Sequence, residues 1–141
     1  MLYYENLIAM SSYIRNIPPY IPTTLIFIAI CYLSLTSEPL PHQQRWFEFP
    51  GSDKVAHFIM YAALTASFCF DYYRRQGSIH KQWHLIAALA VAIVTGAALE
   101  LMQAHMAMGR TGDIIDFAAN TIGAIVGIVS GHKIFARLGT I

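Results

Sequence analysis

Residues 83–103 read WHLIAALAVAIVTGAALELMQ. Between Trp83 and Gln103 the only Asp, Glu, Lys or Arg is Glu100. As a helix, such a stretch is long enough to cross the ~30 Å hydrocarbon layer, at about 1.5 Å per residue. Three further apolar runs flank it, giving spans at about 20–36, 55–72, 83–103 and 114–135. A backbone in lipid must satisfy its own hydrogen bonds, so each run is expected as a helix. Pro22 sits near the start of the first run, where proline is tolerated. The expected fold is all-α, a membrane bundle of four transmembrane helices over residues 20–141. Residues 1–19 precede it. Tyr3, Leu7, Met10, Ile14 and Ile17 recur there at helical spacing, as in a short helix lying on the membrane surface. The segment lacks the basic start and small-residue site of a cleaved signal peptide.

Composition agrees. Of the 141 residues, 56% are apolar and 12% charged, with a formal net charge of +1. Such a chain is too apolar to be disordered. The concentration of its apolar residues in long runs argues against a water-soluble globule. It carries no basic field for nucleic acid. Cys31 and Cys69 both lie inside apolar runs and read as small buried residues.

Orientation follows from Lys and Arg near the span ends. Arg15, Arg74, Arg75, Lys81, Lys133 and Arg137 fall on one side, and Arg45, Lys54 and Arg110 on the other. The richer side is expected in the cytoplasm, with both termini. The protein then sits as a multi-pass chain in the cytoplasmic membrane. Most acids fall on the outer side: Glu38, Glu48, Asp53, Glu100, Asp113 and Asp116, against Glu5 and Asp71 inside. Trp46, Phe47 and Phe49 in the first outer loop suit a membrane–water interface.

The polar residues share faces. Asp53, His57 and Tyr61 are spaced by four, hence on one side of a helix. Glu100 continues the small-residue stripe Ala88, Ala92 and Gly96, a pattern that lets membrane helices pack closely. Asp113, Asp116 and Asn120 lead into Gly123, Gly127 and Gly131. Three helices therefore direct polar groups to one end of the bundle, into an expected pocket opening outward. Ionisable groups in a span cost roughly 2.5–3.5 kcal/mol each on insertion scales and by default mark function. His57, Glu100 and Asp116 are candidate acid/base residues. Lys54, Tyr61, Gln103, Arg110 and Asn120 are candidate binding residues, with Lys54 and Arg110 holding an anionic group.

Plainer roles compete. Ser52, Asp53 or Asp113 can cap helices, and Asp116 can meet a positive helix end. Glu100 can pair with Lys54 or Arg110 simply to hold helices together. Gln103 can be an interfacial residue with no task. The small-residue faces can equally join copies of the chain or a partner protein. His57, Glu100, Asp113 and Asp116 are ligand types. No His-Glu-x-x-His or paired-histidine spacing occurs, however, so no metal or cofactor is expected.

The ordered set Asp53-Lys54-x-x-His57-Phe58-x-x-Tyr61, Glu100-x-x-Gln103, then Arg110, Asp116, Asn120 and Gly123 resembles the VanZ-like family. The resemblance covers about residues 52–131. It departs at Ala107-Met108-Gly109, where the family pattern has a bulkier stretch with Phe and Pro. It implies a small four-helix integral membrane protein, in a family named for a teicoplanin-resistance protein. The motif positions carried over are Lys54, His57, Tyr61, Glu100, Gln103, Arg110, Asp116 and Asn120. Expected partners are the bilayer and an envelope lipid, lipid-linked head group or lipoglycopeptide. Proton-transfer and binding groups are the same residue types, so enzyme and binder stay level. A structural or assembly role, with the charges as an internal staple, is the alternative.

Overall fold

The computed structural model describes residues 18–36, 49–77, 82–106 and 113–138, and these form four helices. They are α1 (Ile21–Leu35), α2 (Ser52–Gln76), α3 (Gln82–His105) and α4 (Ile114–Leu138). The expected interfacial helix in residues 1–19, Trp46, Phe47 and Arg110 lie outside the described residues or, for residues 18 and 19, just ahead of α1.

α2, α3 and α4 are long and apolar enough to cross a membrane. α1 has 15 residues, about 22 Å by the helical rise, and is a shorter apolar helix. Its apolar run extends to Tyr20 and Thr36, but the helix does not. Tyr20 adopts a left-handed conformation at φ 66° ahead of Pro22, and Thr36 is extended. α2 and α4 instead run past their apolar cores, because helical hydrogen bonding continues into polar end turns. Gly51 and Gly77 bound α2 at φ 88° and 71°, a region that costs a side chain but not glycine. Gly77 donates its N–H to Tyr73 O at 2.7 Å, closing the helix.

The tightest helix pair is α2 with α4, and its glycines explain it. A Cβ added at Gly123 would run into the Phe58 carbonyl, and one at Gly127 into Ala62 O and Thr65 Oγ1. At Gly131 it would meet the Cys69 side chain. With the backbones this close, Thr65 Oγ1 donates across the pair to Ala124 O at 2.9 Å. On α3, Gly96 and Ala92 are buried, and Gly96 faces Tyr61 and Asn120. The glycine face of α4 is thus covered by α2, and Ala92 and Gly96 of the α3 stripe are likewise occupied within the chain.

α1 packs on the outside of this core and is clamped at its two ends. Tyr20 offers no side-chain cap. Asp71 of α2 supplies one from across the bundle, accepting from Thr23 N at 3.1 Å and Thr23 Oγ1 at 2.6 Å. At the other end Gln103 of α3 donates from Nε2 to Ser34 O at 2.7 Å. Ser34 lies in the last turn of α1, where carbonyls have no partner within the helix. Replacing Gln103 by Leu removes that donor from a buried carbonyl and is expected to cost about 1–3 kcal/mol. Reversible unfolding in mixed micelles measures the cost. An unchanged stability would mean that the bond does not anchor α1.

Candidate functional site

The polar groups gather where α2 and α4 begin and α3 ends. His57 and Glu100 are each 8% exposed, and Asn120 is 1% exposed. His57 Nδ1 lies 2.9 Å from Asn120 Oδ1. With Nδ1 protonated, the imidazole donates to the amide oxygen. The other face of the same amide donates from Nδ2 to Glu100 Oε1 at 3.4 Å. His57 Nδ1 is itself 3.7 Å from Glu100 Oε1. Asn120 therefore bridges an imidazole and a carboxylate from two other helices. Glu100 Oε2 accepts the Asp113 backbone N–H at 3.1 Å.

Above this buried layer sits a charged one. Lys54 Nζ is 3.0 Å from Asp53 Oδ2, 3.3 Å from Asp113 Oδ2 and 3.2 Å from Asp116 Oδ1. The Asp116 contact is an ion pair off the line of a hydrogen bond, since Asp116 Oδ1 is buried yet has no hydrogen bond among the described residues. Asp113 also caps α4, accepting from Ile115 N at 2.8 Å. That N–H first, and then Lys54, hold its carboxyl below the ordinary carboxylate range. Asp53 and Asp116 lie in the first turns of α2 and α4, where the positive helix ends favour anions. Glu100 is near the opposite, negative end of α3, so the Asp113 N–H and the Asn120 amide do for it what a helix start does for the aspartates.

The structure thus brings together seven of the expected residues or their neighbours: Asp53, Lys54, His57, Glu100, Asp113, Asp116 and Asn120. Gln103 is buried one turn from Glu100, but its amide is engaged with α1. Tyr61 lies beneath the cluster, 1% exposed. Its hydroxyl and Asn120 Nδ2 both lie 3.4 Å from the point where a Cβ on Gly96 would sit. That hydroxyl has no hydrogen-bond partner among the described residues. Lys54, expected to grip an anion, is instead placed among three carboxylates, which an anionic ligand would have to displace. His57, Glu100 and Asp116 place one ligand atom each within 4.8 Å of one another. Sequence spacing does not show this, because the three come from three helices.

A cavity of about 310 Å³ opens beside Glu100 and Asp113 between α3 and α4, otherwise walled by Ala97, Leu101, Ala104, Ile114 and Phe117. A larger one of about 400 Å³ lies deeper, among Thr23, Phe27, Leu64, Phe68, Ala88 and Val91 and others. It is almost wholly apolar and away from the charged layer. The first is the one that touches the chemistry.

Sequence reasoning missed Asp71. It is fully buried, with Arg74 Nη2 at 3.1 Å from Oδ1. Its i,i+3 spacing to Arg74 is the one signal the sequence carried. Its partner Thr23 lies 48 positions away.

Residues 4–135 match the sequence model of the VanZ/LLP1 family. No curated protein and no solved structure matches the chain.

Proposed function

The chain belongs to the VanZ/LLP1 family, and on that premise we propose that this multi-pass membrane protein binds the polar head group of an envelope amphiphile. The amphiphile is a membrane lipid, a lipid-linked head group or a lipoglycopeptide. The observation that carries the reading is the His57–Asn120–Glu100 layer, buried inside helices of spanning length. A helix bundle needs no such groups to hold together when glycine packing already joins α2 to α4. Ionisable groups in that setting are retained against a cost. The cavity beside Glu100 offers a head group and its first methylenes a place between α3 and α4. His57, Glu100 and Asp116 are the groups for proton transfer, should a bond be broken there. Lys54, Asn120, Tyr61, Gln103 and Arg110 are the proposed binding groups. In the orientation favoured by the Lys/Arg distribution, this end of the bundle faces outward and the termini lie in the cytoplasm.

A staple is the second reading. It is favoured by the number of contacts the charges already make with one another. The experiment for the head-group reading is recovery of the protein from its native membrane into nanodiscs, followed by mass spectrometry of the retained amphiphiles. The expected result is one species enriched over bulk lipid. A retained population identical to bulk lipid would contradict the reading.

A further inference from the structure

We infer that His57, Glu100 and Asp116 form a binding site for a divalent transition metal, with Zn2+ the ion its ligands suit best. The ligand atoms are one unprotonated ring nitrogen of His57 and one carboxylate oxygen each from Glu100 and Asp116, all within 4.8 Å of one another. A metal about 2.0–2.2 Å from each, at tetrahedral angles, holds its ligand atoms roughly 3.4 Å apart. His57 Nδ1 and Glu100 Oε1 are already 3.7 Å apart, so an ion there takes Nδ1 unprotonated and replaces its hydrogen bond to Asn120. Asp116, in the first turn of α4, completes the set by exchanging its Lys54 ion pair for the metal. One imidazole and two carboxylates is a set of three protein ligands that leaves the fourth position open.

Charge points the same way. Among the described residues, Asp53, Asp113 and Asp116 share one ammonium, that of Lys54, and Glu100 adds a fourth carboxylate beside Asp113. The cluster therefore attracts cations. Two polar atoms lack what an occupied site would give them. Among the described residues, the buried Asp116 Oδ1 has only its ion pair with Lys54, and the buried Tyr61 hydroxyl at the floor has no hydrogen-bond partner. A metal ligates the first, and a metal-bound water is an acceptor and donor for the second. The surrounding shell is of the kind that orients ligands. Glu100 is held through its second oxygen by the Asp113 N–H, and Asn120 Nδ2 donates to its first. An ion would also reverse the site's preference toward an anionic head group such as a phosphate. That last step rests on the head-group reading, whereas the metal site does not.

The test uses untagged full-length protein in phosphatidylcholine nanodiscs, stripped with a chelator and titrated with Zn2+. Binding is read by competition with a chromophoric chelator, and Co2+ is substituted for its ligand-field absorption. The expected result is about one Zn2+ per chain and the intense visible Co2+ bands of a tetrahedral site. His57→Gln and Glu100→Gln should each weaken binding about 100-fold or more, and Asn120→Ala about 10–100-fold, as for a supporting residue. Lys54→Gln, which removes the competing cation, should bind more tightly than wild type. No stoichiometric binding by wild type would overturn the proposal, whatever the variants do. So would binding untouched by His57→Gln, which would place the ion elsewhere in the chain. Because no amphiphile other than phosphatidylcholine is present, a negative result leaves the head-group reading standing. Failure to retain an amphiphile likewise leaves the metal site standing.

Discussion

Asp71→Ala is expected to destabilise the protein by about 3–5 kcal/mol, the usual cost of removing one partner from a buried ion pair. Asp71 is fully buried and Arg74 is 9% exposed in its side chain. Taking away the carboxylate strips Arg74 of a buried counter-charge. It also strips Thr23 of the acceptor for both its N–H and its hydroxyl. The N–H belongs to the first turn of α1, where no helical acceptor exists. Loss should therefore begin with α1. Cys31 in α1 is partly buried and Cys69 in α2 is fully buried, so their alkylation separates the two events. In detergent, Asp71→Ala should speed Cys31 modification well before Cys69 reacts. Equal acceleration of both would mean global unfolding, and wild-type rates would mean that the clamp carries no weight.

Glu100→Gln is expected to abolish retention of the enriched amphiphile while leaving the fold intact. Gln has the shape of Glu and one carbonyl oxygen to accept either the Asp113 N–H or the Asn120 amide. What disappears is the charge beside the cavity between α3 and α4. A loss of about tenfold or more in retained ligand corresponds to roughly 1.4 kcal/mol or more of binding, within reach of a charged hydrogen bond. Retention equal to wild type would remove Glu100 from the binding site.

The helical period made much of the site legible. Spacing by three and four put His57 with Tyr61, Glu100 with Gly96, and Asp116 with Asn120 on inward faces, and the structure buries those faces together. Apolar runs found the three long helices, since a lipid-facing helix must be apolar over most of its length. What periodicity gives is a face, and it does not say which group stands opposite. Gln103 lies on the expected face but serves α1, donating to Ser34 O in the last turn of that helix. Lys54 meets three carboxylates because the starts of α2 and α4 come together, a consequence of glycine packing along their whole contact. The Asp71–Thr23 clamp was invisible for the same reason. It depends on where α1 seats, and the sequence ties Asp71 only to Arg74 on its own helix.

The central claim is that the buried polar layer is kept for binding and not for stability. The most direct test compares the stability of wild type, Glu100→Gln and His57→Gln in nanodiscs at matched lipid composition without added metal. The account predicts that both variants are as stable as wild type or more so, as when a functional site is held at the expense of stability. A loss of about 3–5 kcal/mol in both would show a structural ion-pair network instead. The cluster would then be the staple of the bundle.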